Sequence, residues 1–352
     1  MNKIIKVLFP LMFIVSAAGC SDDSPVAPGG DSDDGGKVNF SINVCAGANG
    51  SRAFYDLQDA EEIYSLRVIL VRPNGIIEAN EYITAENGVS VFGGVRLKVL
   101  GGEEKKVYLI ANESSVTGLD LSAEEYGKGK EFPTEKITGF ELSAPGAGKA
   151  VIDNTGDEKR AIPMAEVFDI NVKAPVNEED YNQSANLFLV RALTKFSFTI
   201  SSDLTPVADF AIDEIRISKV GQSMYLFPNE TVYSPAKYPV SFEMRDITDY
   251  KVPLTDNSPI TFKPDGALTL SSSYIPGTEI AYSPELYFAE TKLEPGEVYT
   301  VSVKLAGASE FYKTDIPLDN LPSLPRNTHV QIKFKVENTE ILSEAVSIPY
   351  VE

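Results

Sequence analysis

The sequence predicts an all-β protein built from antiparallel β-sandwiches, with helix confined to minor turns. Three observations carry this. Short runs rich in β-branched and aromatic residues recur along the chain, and most alternate apolar and polar residues with the period of two of a half-buried strand. Glycine and proline, 25 and 22 of the 352 residues, fall between these runs and punctuate them with turns. Helix signals are restricted to two short stretches: Asp56–Leu66, with Asp56 as cap, and Ser122–Gly129, with a serine cap and carboxylates in its first turn.

The elements follow in order. Lys3 and Lys6 precede an apolar stretch, residues 7–19, too short to span a bilayer, which reads as a secretory signal. It ends Ala17-Ala18-Gly19-Cys20, which resembles a bacterial lipobox and implies cleavage before Cys20 and acylation of that cysteine. Residues 20–37 continue in Asp, Gly, Ser and Pro and form a flexible tether. Its early acidic residues resemble a surface-export signal of Bacteroidetes lipoproteins; a plain solvated linker is the other reading.

The stretch VNFSINV then places Val38, Phe40, Ile42 and Val44 on one face and Asn39, Ser41 and Asn43 on the other. Small residues from Gly47 to Ser51 lead to Arg52 and Ala53, a stretch easily drawn into a protease cleft. Further strands are expected at Arg67–Val71, Lys105–Asn112, Leu187–Ser201, Asp213–Val220, Glu297–Leu305 and Thr328–Val336. The loop-like stretch from Thr155 to Asn186 divides two strand-rich halves, residues 38–186 and 187–352.

A formal net charge of −20 excludes nucleic acid and anionic lipid as natural partners. The two cysteines are Cys20 and Cys45, so no disulfide joins structural cysteines and stability must come from packing. The single histidine, His329, lies inside an expected strand and reads as a surface or edge residue. No histidine or cysteine cluster has the spacing of a zinc site, and neither a P-loop nor a GxSxG elbow occurs. The acidic pairs Glu61-Glu62, Glu103-Glu104 and Glu124-Glu125 read as solvated faces. No enzyme activity, metal or cofactor is expected. Tryptophan is absent, which counts against a dedicated aromatic sugar platform.

Taken in order, several stretches resemble the fimbrillins, the type V pilus subunits of Bacteroidales. They are the lipobox at Cys20, VNFSINV with Ser51-Arg52-Ala53-Phe54, SLRVILVRPNG, VYLIAN (Val107–Asn112), Ile162-Pro163-Met164, LVRALTKFSFTI and PRNTHVQIKFKV. The resemblance implies two transthyretin-like sandwich domains in tandem. It implies export as an outer-membrane lipoprotein through Cys20, then a cut between Arg52 and Ala53 by an arginine-specific surface protease. The cut releases the strand Val38–Val44, and the subunits join head to tail in a surface fimbrium that serves adhesion.

Burial of four apolar side chains is worth on the order of 6–12 kcal/mol, comparable to the stability of a whole domain. A sandwich stripped of this strand exposes a groove that a strand from another subunit can fill. The candidate donor is the segment 341–352, where Leu342, Val346, Ile348 and Tyr350 share one parity, interrupted by Glu344. The competing reading is a glycan-binding surface lipoprotein of a polysaccharide-uptake system.

Overall fold

A computed structural model of the chain describes residues 36–46, 61–143, 161–204, 210–219, 223–227, 260–262, 268–271, 273–281, 286–292, 296–317, 323–324, 326–337 and 340–349. The signal stretch, residues 20–35 of the expected tether and the stretch carrying Arg52 lie outside the described residues; Lys37, expected at the end of the tether, opens β1 instead.

The first half contributes β1 (Lys37–Ala46), β2 (Ile63–Val71), β3 (Ile77–Val89), β4 (Val91–Leu100), β5 (Glu103–Ala111), β6 (Glu141–Ser143), β7 (Met164–Val172) and β8 (Asn182–Arg191). Seven of them form one sheet in the order β3-β2-β5-β7-β8-β1-β4. β7 and β8 share only the pairs Met164↔Arg191 and Ala165↔Val190. The sheet turns at that corner, so that β3-β2-β5-β7 and β8-β1-β4 become two layers of a sandwich. Phe40, Ile42 and Val44 of β1 and Leu189 of β8 meet Leu66, Val68 and Leu70 of β2, Leu109 of β5 and Phe168 of β7 in one core.

β2 and β5 are buried on their other face as well. There Ile69, Tyr108 and Ile110 pack against Leu121, Tyr126, Phe132 and Phe227. The Tyr108 and Phe132 ring centroids lie 4.3 Å apart. Double burial explains why Ile63–Leu66, expected within a helix, opens β2 instead: a strand covered on both sides reads as a continuous apolar run without a two-residue period. The other expected helix shrinks to a single 3-10 turn at Glu124–Tyr126, capped by Ala123 rather than Ser122.

The second half contributes β9 (Leu193–Ser202), β10 (Phe210–Ile217), β11 (Ser223–Tyr225), β12 (Ile260–Phe262), β13 (Leu268–Leu270), β14 (Ile280–Ala281), β15 (Leu286–Ala289), β16 (Thr291–Lys292), β17 (Thr300–Leu305), β18 (Lys313–Pro317), β19 (Ser323–Leu324), β20 (Thr328–Glu337) and β21 (Glu340–Pro349). The sheet β14-β9-β20-β21, with β15 also on β9, faces the sheet β12-β10-β17-β18, with β13 also on β10. Phe196, Phe198 and Ile200 of β9 and Val330, Ile332 and Phe334 of β20 pack against Ile212, Ile215, Ile217, Val301 and Val303. The stretch read as one strand, Leu187–Ser201, is two strands in different sheets, parted at Ala192, whose amide donates to the Pro163 carbonyl at 2.9 Å.

The sheets are mixed rather than purely antiparallel. β1 runs parallel to β8, and β9 runs parallel to β20. Alternation along a strand is the same in both arrangements, so the pattern could not separate them.

Candidate functional site

β1 is seated between two neighbours. Antiparallel to it lies β4, from Lys37↔Leu100 to Cys45↔Val91; parallel to it lies β8, from Asn39↔Asn182 to Ala46↔Leu189. The inward residues Val38, Phe40, Ile42, Val44 and Ala46 are all buried, with Ile42 and Val44 at 0% exposure. The four residues expected to line the removable strand therefore share one core face, and Ala46 extends the set.

The outward face carries a ladder of like residues. Asn39 pairs with Asn182, Ser41 with Ser184 and Asn43 with Asn186. The Asn39 amide donates to Asn182 Oδ1 at 3.1 Å, and the Asn43 amide donates to Asn186 Oδ1 at 2.9 Å. Asn43 Oδ1 also accepts from the Gly94 amide at 2.9 Å. That contact lies where the register with β4 shifts between Ile42 and Val44, beside Gly94 at φ +72°. A pocket of about 280 Å³ opens beside Cys45, between Val91, Leu187 and Phe188.

Of the other residues singled out, Cys20, Arg52 and Ala53 lie outside the described residues, as does Tyr350. Leu342, Val346 and Ile348 belong to β21, whose neighbour is β20. The register sets them opposite Lys335, Gln331 and His329. The core-facing residues Val330, Ile332, Phe334 and Val336 of β20 stand opposite Ser347, Ala345, Ser343 and Ile341. At the start of β21, Ile341 is buried in that core while Leu342 is exposed.

The scattered motifs converge elsewhere. Asn112, in the left-handed region at φ 58°, donates to the Glu62 and Ile162 carbonyls and accepts from the Tyr64 amide. Buried Arg191 reaches the Glu61 carbonyl at 3.4 Å and Asn327 Oδ1 at 3.2 Å. Buried Lys195 lies 3.2 Å from Glu61 Oε1, which also accepts from the Tyr287 hydroxyl at 3.4 Å. Arg326 pairs with Glu290 and donates to the Leu226 carbonyl at 2.9 Å. Of these, the contacts of Glu61 with Lys195 and Tyr287 and of Arg191 with Asn327 join the first half to the second.

Glu61, expected on a solvated face, is buried at this joint. It anchors the chain nine residues past Arg52. A buried pair broken on one side leaves an uncompensated charge, so this anchor resists release.

His329 is also not where a surface or edge reading put it. It is buried, on the interior strand β20, and its Nε2 lies 2.8 Å from Ser197 Oγ. Burial pushes its imidazole down to about 4; the Lys195 cation adds to the shift and Glu61 opposes it.

No family model matches the chain, and neither does any curated protein sequence. Solved structures do match. The tip fimbrial protein Mfa3 from Porphyromonas gingivalis, with C-terminal truncation, is 13% identical over 89% of this chain and 99% of its own, with a TM-score of 0.56. A candidate cell adhesion protein from Bacteroides eggerthii is 14% identical over 91% of this chain and 98% of its own, at a TM-score of 0.51. Another from Parabacteroides distasonis is 13% identical over 89% and 97%, at 0.50. The chain shares the fold of these fimbrial and adhesion proteins across nearly its whole length.

Proposed function

We propose that this protein is a pilus subunit that matures by exchanging β1 for a strand of another subunit. In this reading it is two transthyretin-like domains in tandem, with the boundary expected at residue 186 moved to Ala192, because β8 (Asn182–Arg191) belongs whole to the first sheet and β9 opens the second. It leaves the cell as an outer-membrane lipoprotein tethered at Cys20. An arginine-specific surface protease cuts between Arg52 and Ala53, and the product joins other subunits head to tail in a fimbrium serving adhesion. The fold it shares with fimbrial and adhesion proteins supports this.

One observation carries the reading: β1 is flanked on both sides and buries five side chains, yet it joins its sandwich only through residues 47–60. A cut in that stretch leaves a strand worth much of a domain's stability held by non-covalent contacts alone. Among the described residues, loss of the strand also strips β4 of its ladder partner. The vacated edges invite β-strand addition, and a donor from the next subunit produces an open-ended chain of subunits.

The test uses the chain beginning at Ser21. Limited digestion with a trypsin-like protease should cut after Arg52, and stripping off the fragment with mild denaturant should leave a product that unfolds or aggregates unless a replacement strand is supplied. A stripped product that stays monomeric and as stable as the intact chain would overturn the proposal.

A further inference from the structure

We infer that the groove left by β1 admits a strand from a different polypeptide and rejects this chain's own C-terminal strand. This rests on the strand-exchange reading and names the partner that the reading leaves open.

The seated strand is a template of its replacement. Five consecutive inward positions, those of Val38, Phe40, Ile42, Val44 and Ala46, are enclosed by an apolar core. A donor must therefore present apolar residues at five alternate positions, because an uncompensated charge there costs several kcal/mol.

The C-terminal segment cannot meet this in either direction. One parity reads Glu340, Leu342, Glu344, Val346, Ile348, Tyr350, Glu352. Its longest run free of carboxylates is three residues, Val346 to Tyr350, so any register filling all five sites buries Glu344 or Glu352. The other parity reads Ile341, Ser343, Ala345, Ser347, Pro349, Val351, mostly small or polar, with a proline that cannot donate to the ladder.

The outward face adds a second criterion. Asn182 and Asn186 each hold the side-chain amide of the residue opposite. They favour a donor with carboxamides four residues apart, lying between the apolar positions. Sliding such a donor by two residues breaks at least one of the pairs, so the ladder selects register as well as sequence. The partner is then an extended strand of the form apolar-Asn-apolar-Ser-apolar-Asn-apolar, running parallel to β8.

The experiment is competition on the full chain cut after Arg52. A fluorescent peptide of β1's own sequence, Lys37–Ala46, is allowed to fill the groove, and unlabelled peptides displace it. The unlabelled β1 peptide should compete fully. A peptide of residues 340–352 should be weaker by on the order of a hundredfold or more. The same peptide carrying Glu344→Leu presents Leu342, the new leucine, Val346, Ile348 and Tyr350, and should regain at least tenfold. The β1 peptide with Asn39→Ala and Asn43→Ala should lose at least tenfold.

Competition by the wild-type 340–352 peptide equal to that of the β1 peptide would overturn the inference while leaving strand exchange intact. Failure of the β1 peptide itself to enter the groove would overturn both.

Discussion

The first strands of the two sandwiches, β1 and β9, occupy the same kind of slot. Each lies between a parallel neighbour, β8 or β20, and antiparallel ones, β4 or β14 and β15. Each buries alternate side chains completely: Ile42 and Val44 in one, Phe198 and Ile200 in the other. They differ in how the chain reaches them. β9 starts two residues after β8 ends, through a buried Ala192 whose amide is bonded to Pro163. β1 is preceded by the sequence-predicted tether and followed by residues 47–60 with Arg52. A strand continuous with its sheet cannot leave without unfolding it; strand exchange as proposed needs one that is joined through a stretch a protease can cut. Under the strand-exchange proposal, covalent connection rather than depth of burial sets the two strands apart.

The largest effects test this difference directly. Ile42→Ala and Phe198→Ala both empty fully buried positions. In the uncut chain each should cost about 2–5 kcal/mol in denaturant unfolding, the phenylalanine toward the upper end. Once the cut chain has exchanged its own β1 for a wild-type β1 peptide, the Ile42→Ala cost should vanish, because the altered strand is gone, while the Phe198→Ala cost persists. An Ile42→Ala penalty that survives exchange would mean that β1 had never left.

A smaller effect separates the outward faces of the two parallel pairs. Between β1 and β8 the side chains in contact are carboxamides, with the Cys45 thiol donating to the Leu187 carbonyl, and none is a histidine; between β9 and β20 Ser197 meets His329. The folded-state pKa of His329 is depressed to about 4, below the ordinary 6.5. The unfolded chain therefore takes up the proton first as pH falls. The stability tied to neutral His329 is complete above about pH 6.5 and is lost progressively toward pH 4, by up to about 3 kcal/mol. Carboxylates titrate in the lower part of this window, so the measurement is the difference between wild type and His329→Gln. That difference should shrink as pH falls from 7 to 4.5, and a constant one would remove the histidine from the account.

Much of the first sandwich was legible in the sequence because β1 has one buried and one wet face, and so alternates. Its pairing with β8 was not legible, since parallel partners 143 positions apart leave no trace in local periodicity. One signal was present: Asn-x-Ser-x-Asn occurs at Asn39, Ser41 and Asn43, and again at Asn182, Ser184 and Asn186. Matching polar spacing of that kind marks a register between distant strands. The burial of Glu61 was hidden for another reason. Nothing in Glu61-Glu62 distinguishes a carboxylate held by Lys195 and Tyr287 from one in water. The joint around it becomes visible only when Arg191, Lys195 and Asn327 are brought together by the fold.

The smallest expected effect concerns that ladder. Asn43→Ala removes the bond to Asn186 and the acceptor for the Gly94 amide. Asn186 is exposed and Asn43 only half-buried, so water can take up both orphaned groups. The loss should then be near the net value of ordinary hydrogen bonds, about 1–2 kcal/mol, rather than the full desolvation penalty of buried ones. Thermal unfolding of the uncut chain should fall by only a few degrees. Asn43→Asp keeps an acceptor for Gly94, and Asn186 can present its amide to the new carboxylate, so that variant should lie closer to wild type. If instead Asn43→Ala costs as much as Ile42→Ala, the ladder contributes to the cohesion of the sandwich itself, and a replacement strand would need its carboxamides as much as its apolar side chains. The modest value fits a ladder that chooses the register while the buried face supplies the binding energy.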